Sequence, residues 1–367
     1  MSLSAYSVGH WEQYLGRITG TSLWPDKPPL ITCMEDLTIA AKAVRESFRR
    51  AAESLQNDKK EDCFNKFDKR KYGDPVWYRG DPDWHEGRSL CPSVFRPDYY
   101  LKNEKGFRSA EKWTLTEFWR KAVLRDVHCP DPGHRQAWLA LAQHHGLPTR
   151  LLDWSESILA AAWFAVHGTR KAILARDLAD TQRALVTLRE SIEAWLGGNT
   201  DALYSLLDEK AREAVVKCRY HNGEQTVIWA LSPALMNFSL NTNGPFFFLE
   251  PDDPMLTDAF RGDGDPEKVQ VFAIWVQDVH PRMMSQSAYF TIHSNDKSLK
   301  DINDNCPPAK QFLRKLVIRA DAKEMVYEAL VSAGVSQSTI FPDLDNLARI
   351  FHQFFPVPYG ATAFLLV

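Results

Sequence analysis

No two cysteines stand at Cys-x-x-Cys spacing. The six present (Cys33, Cys63, Cys91, Cys129, Cys218 and Cys306) are scattered, so neither a zinc site nor a disulfide framework is legible, and free thiols in a reducing compartment are expected. Also missing is any run approaching the roughly 18 continuous apolar residues that a membrane span requires. The opening MSLSAYSVGHWEQYLG has no basic segment leading into an apolar stretch, which argues against a secretory signal. A cytoplasmic protein with no membrane partner is therefore expected. Charge of one sign is scarce as well: 44 Lys and Arg against 47 Asp and Glu leave a formal charge of −3. That balance excludes binding of nucleic acid through bulk charge alone, while a local basic groove stays open. Internal repeats and low-complexity tracts are absent too.

What is there fits a globular chain with a real core. The 367 residues are 44% hydrophobic and 25% charged, enough for one large domain or a domain with an added lobe. Twelve Trp and 20 Phe imply a large apolar area, most of it core, and a cleft walled with rings. Apolar spacing of three to four residues predicts a helix over 35–56. A short β-rich run over 75–80 predicts a strand ending at Arg79, and 89–96 reads as extended and broken at Pro92. Helical patterns cover 104–128 and 134–145, the second stopped by Gly146 and Pro148. A helix over 156–167, apolar on nearly all sides, is expected to be buried. Strands are predicted over 226–231, 270–277, 289–293 and 313–319, helices over 322–333 and 344–354, and an edge strand over 362–367. The class is α+β, with a mixed or antiparallel sheet core, flanking helices and an inserted helical lobe. The expected division is an N-terminal helical segment over 1–70, a main domain in two parts over 71–168 and 226–367, and the helical insertion over 169–225.

Four places carry side chains suited to chemistry. Arg79 at a strand end presents a planar fork that suits phosphate or carboxylate, and Gly80 lets a backbone or ligand come close. Arg79 tied to a buried carboxylate is the alternative. The densest cluster runs from Gln143 to Trp154, between two apolar helices. Helical spacing turns His144 and His145 inward or along a cleft, either as site residues or as core histidines satisfied by carbonyls. Arg150, set among leucines, needs a partner, and Asp153 is the nearest candidate. The segment from Arg282 to His293 brings Gln286, with a donor and an acceptor, or is simply a loop leading into a strand. Asp343 or Asp345, just before a helix, is a cap or a catalytic carboxylate.

Taken together, Tyr78-Arg79-Gly80, Leu90-x-Pro92-Ser93-x-Phe95-Arg96 and the run from Ala142 to Ser155 resemble the FRG domain family. So do Ser285-Gln286-Ser287 with Phe290-Thr291, and the run from Phe341 to Asp345. The resemblance spans roughly residues 77–351 without the insertion, so that 71–168 and 226–367 would be two parts of one FRG domain. Tyr78 keeps the ring of the name-giving aromatic. Where the family tends to carry Gly, this chain has Ala288, which narrows backbone freedom, and Asn346, which tolerates a positive φ. The resemblance implies a bacterial protein that recurs near mobile elements and phage-defence genes. At the level of fold analogy alone, an early strand Arg, a polar strand start and a late carboxylate are similar in order to ADP-ribosyltransferases.

Three functions are expected from these signals. In the first, the protein is an effector that takes NAD as substrate, transferring ADP-ribose or hydrolysing the dinucleotide, in phage defence or a stress response. Arg79 would hold the pyrophosphate, and His144 or His145 with Thr149 would orient the nicotinamide ribose. Gln286 would bond the nicotinamide side or the acceptor, and Asp343 would stabilise charge at the anomeric carbon. Tyr78, Gly80, Gln143, Arg150 and Asp153 complete the expected binding set. In the second, the protein senses a nucleotide or nucleic acid without chemistry. Trp77, Tyr78 and Trp84 would stack a base, and the basic runs at 45–50 and 66–71 would meet phosphate. The third, a metal-dependent nuclease using His85, His144, His145 and Asp153, is disfavoured. Adjacent histidines on a helix point about 100° apart, and no metal is expected.

Overall fold

A computed structural model describes residues 11, 24, 28–57, 75–84, 89–96, 107–125, 129–131, 133–167, 225–240, 271–274, 276 and 280–354. The expected insertion (all but residue 225) and the expected terminal edge strand lie outside the described residues, as does the basic run at 66–71.

Helix α1 (Met34–Asn57) opens the described chain. Its buried stripe of Leu37, Ala40, Val44, Phe48, Ala51 and Leu55 follows the helical period. At its start the Asp36 carboxylate accepts from the Thr32 amide at 2.8 Å and the Thr32 hydroxyl at 2.6 Å. The basic flank is neutralised locally, since Arg49 and Arg50 both bond Glu46. These arginines therefore form a solvated ion-pair ladder on the helix, and the expected phosphate contact finds no support there.

Next come β1 (Trp77–Trp84), α2 (Phe107–Ala122), α3 (Arg135–His144) and β2 (Leu151–Ser155). A buried helix, α4, covers 158–167, and β3 (Gln225–Leu231), α5 (Pro233–Leu240) and β4 (Val271–Ile274) follow. The short α6 (Pro281–Ser285) leads into β5 (Ala288–His293), then α7 (Leu299–Asp304) and β6 (Leu313–Ile318). Last are α8 (Lys323–Ser332), α9 (Gln337–Ile340) and α10 (Leu344–Phe354). No helix among the described residues is long and apolar enough to cross a membrane.

All six strands join one antiparallel sheet in the order β4-β5-β2-β1-β3-β6. The α+β class is thus the observed one. Pairing is uneven. β1 runs beside β3 from Trp77↔Leu231 to Trp84↔Gln225, with a register shift between Asp81 and Trp84. β2 runs beside β5 from Leu151↔Ile292 to Ser155↔Ala288. Between the two central strands, however, the only registered pair is Tyr78↔Ser155. Beyond it β1 and β2 part, and the middle of the sheet opens.

Two apolar clusters flank this opening. The larger gathers α1, α4, β1, β3 and α8 and reaches across to Leu152 and Trp154 of β2 and Val271 and Ala273 of β4, and the smaller packs Ala137 and Ala140 of α3 on Leu151, Phe272, Phe290 and Ile292. Gly80 makes the seam possible. A Cβ there would lie 2.0 Å from the Ala161 carbonyl oxygen and 2.6 Å from the Ala165 nitrogen. The close approach expected at Gly80 is that of helix α4.

Candidate functional site

Where β1 and β2 separate lies a cavity of about 440 Å³. β1 gives it Tyr78, Arg79 and Gly80, and α3 gives Gln143 and His144. β2 contributes Asp153, Trp154 and Ser155, while α6 and its end supply Arg282 and Gln286. Phe164, Phe290 and Phe341 add rings to its walls.

Arg79 crosses the gap. Its Nη1 donates to the Asp153 main-chain carbonyl at 2.8 Å and stands 3.7 Å from Asp153 Oδ2. The first contact satisfies a carbonyl that strand pairing with β1 would otherwise have taken up. The second is too long for a hydrogen bond. With its side chain 22% exposed, the guanidinium fronts the cavity.

The Asp153 carboxylate is set by a relay. Gln143 Nε2 donates to Asp153 Oδ1 at 2.5 Å, and the Thr149 hydroxyl donates to Gln143 Oε1. A carboxylate can only accept, so the Gln143 amide has one permitted orientation. Thr149 itself is fully buried and does not line the cavity. Its part is to fix Gln143, and the expected contact with a ribose is corrected to that.

Arg150 is a different matter. Both it and Glu111 of α2 are sealed, with side chains 5% exposed, and they form a bidentate pair, Nε to Oε1 at 2.9 Å and Nη2 to Oε2. The partner expected for Arg150, Asp153, is corrected to Glu111. Consecutive strand residues point to opposite faces, and on β2 the exposed member is Asp153. Arg150 therefore supports the core and is not a ligand contact.

The two histidines divide. His144 lines the cavity, and its ring lies 3.8 Å centroid to centroid from His280. Burial, with the nearby His280 and Arg282, pulls its pKa down to about 4, so the imidazole is neutral at pH 7. His145 is exposed, does not line the cavity, and faces Phe118 and His280. Of the two histidines picked out, the cavity takes His144 and not His145, the one expected to be catalytic. Behind the floor, Trp154 Nε1 donates to Thr291 Oγ1 at 3.1 Å, and Thr291 shares a 2.9 Å hydrogen bond with His293 Nε2. Burial, with the charge of Arg79 nearby, drops the His293 pKa to about 3.

On the far wall, Gln286 Nε2 donates to the Ile340 carbonyl at 3.1 Å. That carbonyl accepts only, so the Gln286 oxygen is turned away from it. Ser155 Oγ donates to the Gln286 carbonyl at 2.6 Å, tying the end of β2 to this wall. The left-handed residue here is Ser287, φ 45°, and neither Ala288 nor Asn346 has a positive φ. Asn346 works through its side chain instead, donating to the Phe341 carbonyl at 2.8 Å and accepting from Gln337 at 2.7 Å.

Asp343 lies behind the wall. Arg282 donates Nε to its Oδ2, and its Oδ1 accepts the Asn346 amide at 2.9 Å, capping α10. The Arg282 guanidinium holds this carboxyl well below its ordinary range. Asp343 does not line the cavity, so the charge-stabilising position expected of it is corrected to an anchor for Arg282. Arg282 itself, stacked 5.3 Å over the Phe341 ring, is the site residue that sequence reasoning missed. It stood inside a segment already singled out, yet spacing alone gave no reason to prefer it.

Trp77 and Trp84 are 0% and 1% exposed. Trp77 stacks on Tyr289 and Trp84 meets Trp229 edge-on, so the base-stacking expected of these two is corrected to core packing. Tyr78 is buried as well, and burial raises its phenol. His85 lies outside the described residues, and among those described no group of three His, Cys, Asp or Glu is arranged to hold a metal ion.

Residues 74–173 match the family model of the FRG domain. Neither the curated proteins nor the solved structures give a match. The FRG segment contains Arg79, Gln143, His144, Thr149 and Asp153, and with them one side of the cavity. Arg282, Gln286 and Phe341 come from beyond it. The cavity is thus assembled from the FRG segment and from the later part of the sheet.

Proposed function

We propose that this cavity binds a nucleotide, with NAD as the substrate, and that the protein transfers the ADP-ribose group or hydrolyses the dinucleotide. The observation that carries the reading is Arg79, a permanently charged fork set in the gap of the sheet on a main-chain carbonyl and lining the cavity. Arg282 adds a second cation, Phe164, Phe290 and Phe341 offer ring faces, and the volume falls in the usual range for small-molecule sites. The Gln286 oxygen, turned off Ile340, suits an N–H donor such as the nicotinamide carboxamide. A role as a bacterial effector in phage defence or a stress response belongs to the same reading and rests on the family resemblance alone.

Calorimetry with NAD, followed by an assay for released nicotinamide, tests the reading. Saturable binding is expected, weakened about tenfold or more in Arg79→Ala, as the loss of a charged hydrogen bond predicts. A protein that binds no nucleotide overturns it. A nucleotide sensor without chemistry is the second reading, favoured by the withdrawal of Asp343 behind Arg282. Binding of NAD without release of nicotinamide or transfer of ADP-ribose selects it.

A further inference from the structure

The nucleotide reading leaves open which carboxylate faces the reacting centre, and the geometry answers differently from the order of residues along the chain. Both oxygens of Asp343 are engaged, one by Arg282 and one by the Asn346 amide, and the residue is absent from the cavity wall. Among the described lining residues, Asp153 is the one carboxylate. Its side chain is 55% exposed, and its two oxygens are unequal. Oδ1 is held by Gln143. Oδ2 stands 3.7 Å from Arg79, close enough to feel the charge and too far to be hydrogen-bonded.

We infer that Asp153 is the catalytic carboxylate of this site, and that the Arg79–Asp153 arrangement selects a ligand carrying an anion and a cationic ring close together, a pyridinium dinucleotide over a plain nucleoside phosphate. This rests on the nucleotide reading above. Arg79 is fixed to the main chain of the same residue whose side chain bears the negative charge, so the two charges keep a set separation. A phosphate drawn to Arg79 weakens its pull on Oδ2. That leaves Oδ2 to face the positive charge of the nicotinamide riboside.

In the step this implies, the bond between ribose C1′ and the pyridinium nitrogen breaks. Its electron pair stays with the nitrogen, and neutral nicotinamide leaves. Positive charge passes to C1′ and the ring oxygen, where Asp153 opposes it. A lone pair of water or of an acceptor hydroxyl then closes on C1′, and the proton of that oxygen goes to solvent. Gln143 and Thr149 are positioning residues, since they act by setting the carboxylate.

The test uses the full chain and Asp153→Asn, which keeps an oxygen to accept from Gln143. NAD and ADP-ribose affinities are measured together with the rate of nicotinamide release. The wild type is expected to bind NAD more tightly than ADP-ribose. In the variant that preference disappears, ADP-ribose affinity stays within about threefold, and release falls about 100-fold, the scale of losing one electrostatic stabiliser. Retained ADP-ribose binding shows that the variant is folded. Unchanged release in Asp153→Asn, or equal affinity of the wild type for both ligands, overturns the inference while the nucleotide reading stands. Wild-type protein that binds NAD but frees no nicotinamide does the same. Failure of the wild type to bind any nucleotide overturns the reading itself.

Discussion

Arg79 and Arg150 both belong to the FRG segment, and the structure puts them to opposite uses. Arg150 and Glu111 seal each other away from water, so both charges are spent on the link between α2 and β2. Arg79 leans on a main-chain carbonyl and keeps a loose, half-open relation with Asp153. One arginine is locked in a bidentate pair inside the core, and the other bonds a main-chain carbonyl across the gap. Only the second lines the cavity.

The largest effect that separates the two should come from Arg150→Ala. It strands the Glu111 carboxylate in the core and is expected to cost about 3–5 kcal/mol of stability, read by chemical denaturation. Arg79→Ala should cost less than about 1 kcal/mol; comparable losses in both would erase the distinction. Between these falls Gly80→Ala. Its methyl meets the backbone of α4 and should destabilise by about 1–3 kcal/mol, with loss of nucleotide binding as the seam shifts. Asp343→Asn sharpens the contrast from the far wall. Arg282 depresses the Asp343 pKa below its ordinary 3.8, so the stability it adds is complete above that value and fades as the pH falls below it. The difference between wild type and Asp343→Asn, about 1 kcal/mol at neutral pH on the scale of a helix cap, should shrink in acid. His144 acts in another window. Its folded pKa of about 4 lies below the ordinary 6.5, so the unfolded chain takes up its proton first and stability declines as the pH drops between those values. His144→Gln should remove part of that decline.

Much of this fold was written in local signals. The runs at 226–231, 289–293 and 313–319 became β3, β5 and β6 within one residue at either end. Gly146, with φ of 83°, closes α3 as its position announced. The strand that mattered most was not read. Leu151–Ser155 is only five residues, lies between two helices, and carries an apolar run that fits a buried helix entrance as well as a strand. It became β2, at the centre of the sheet. A strand ending at Arg79 was expected because Gly80 weakens a strand; pairing with β3 overrides it as far as Trp84. For the site, Arg79, Gln143, His144, Asp153 and Gln286 were picked out and share the cavity. Partners were harder. Glu111 is 39 positions from Arg150 and Asp343 is 61 from Arg282, and no local pattern encodes which distant carboxylate an arginine will meet.

The lone Tyr78↔Ser155 pair has a mechanical meaning. Along the backbone it is the one registered pair between two three-stranded ribbons, so a side chain, Arg79, and the shared core beneath take over the joining that a ladder would do. A guest lying across the opening would touch both ribbons at once.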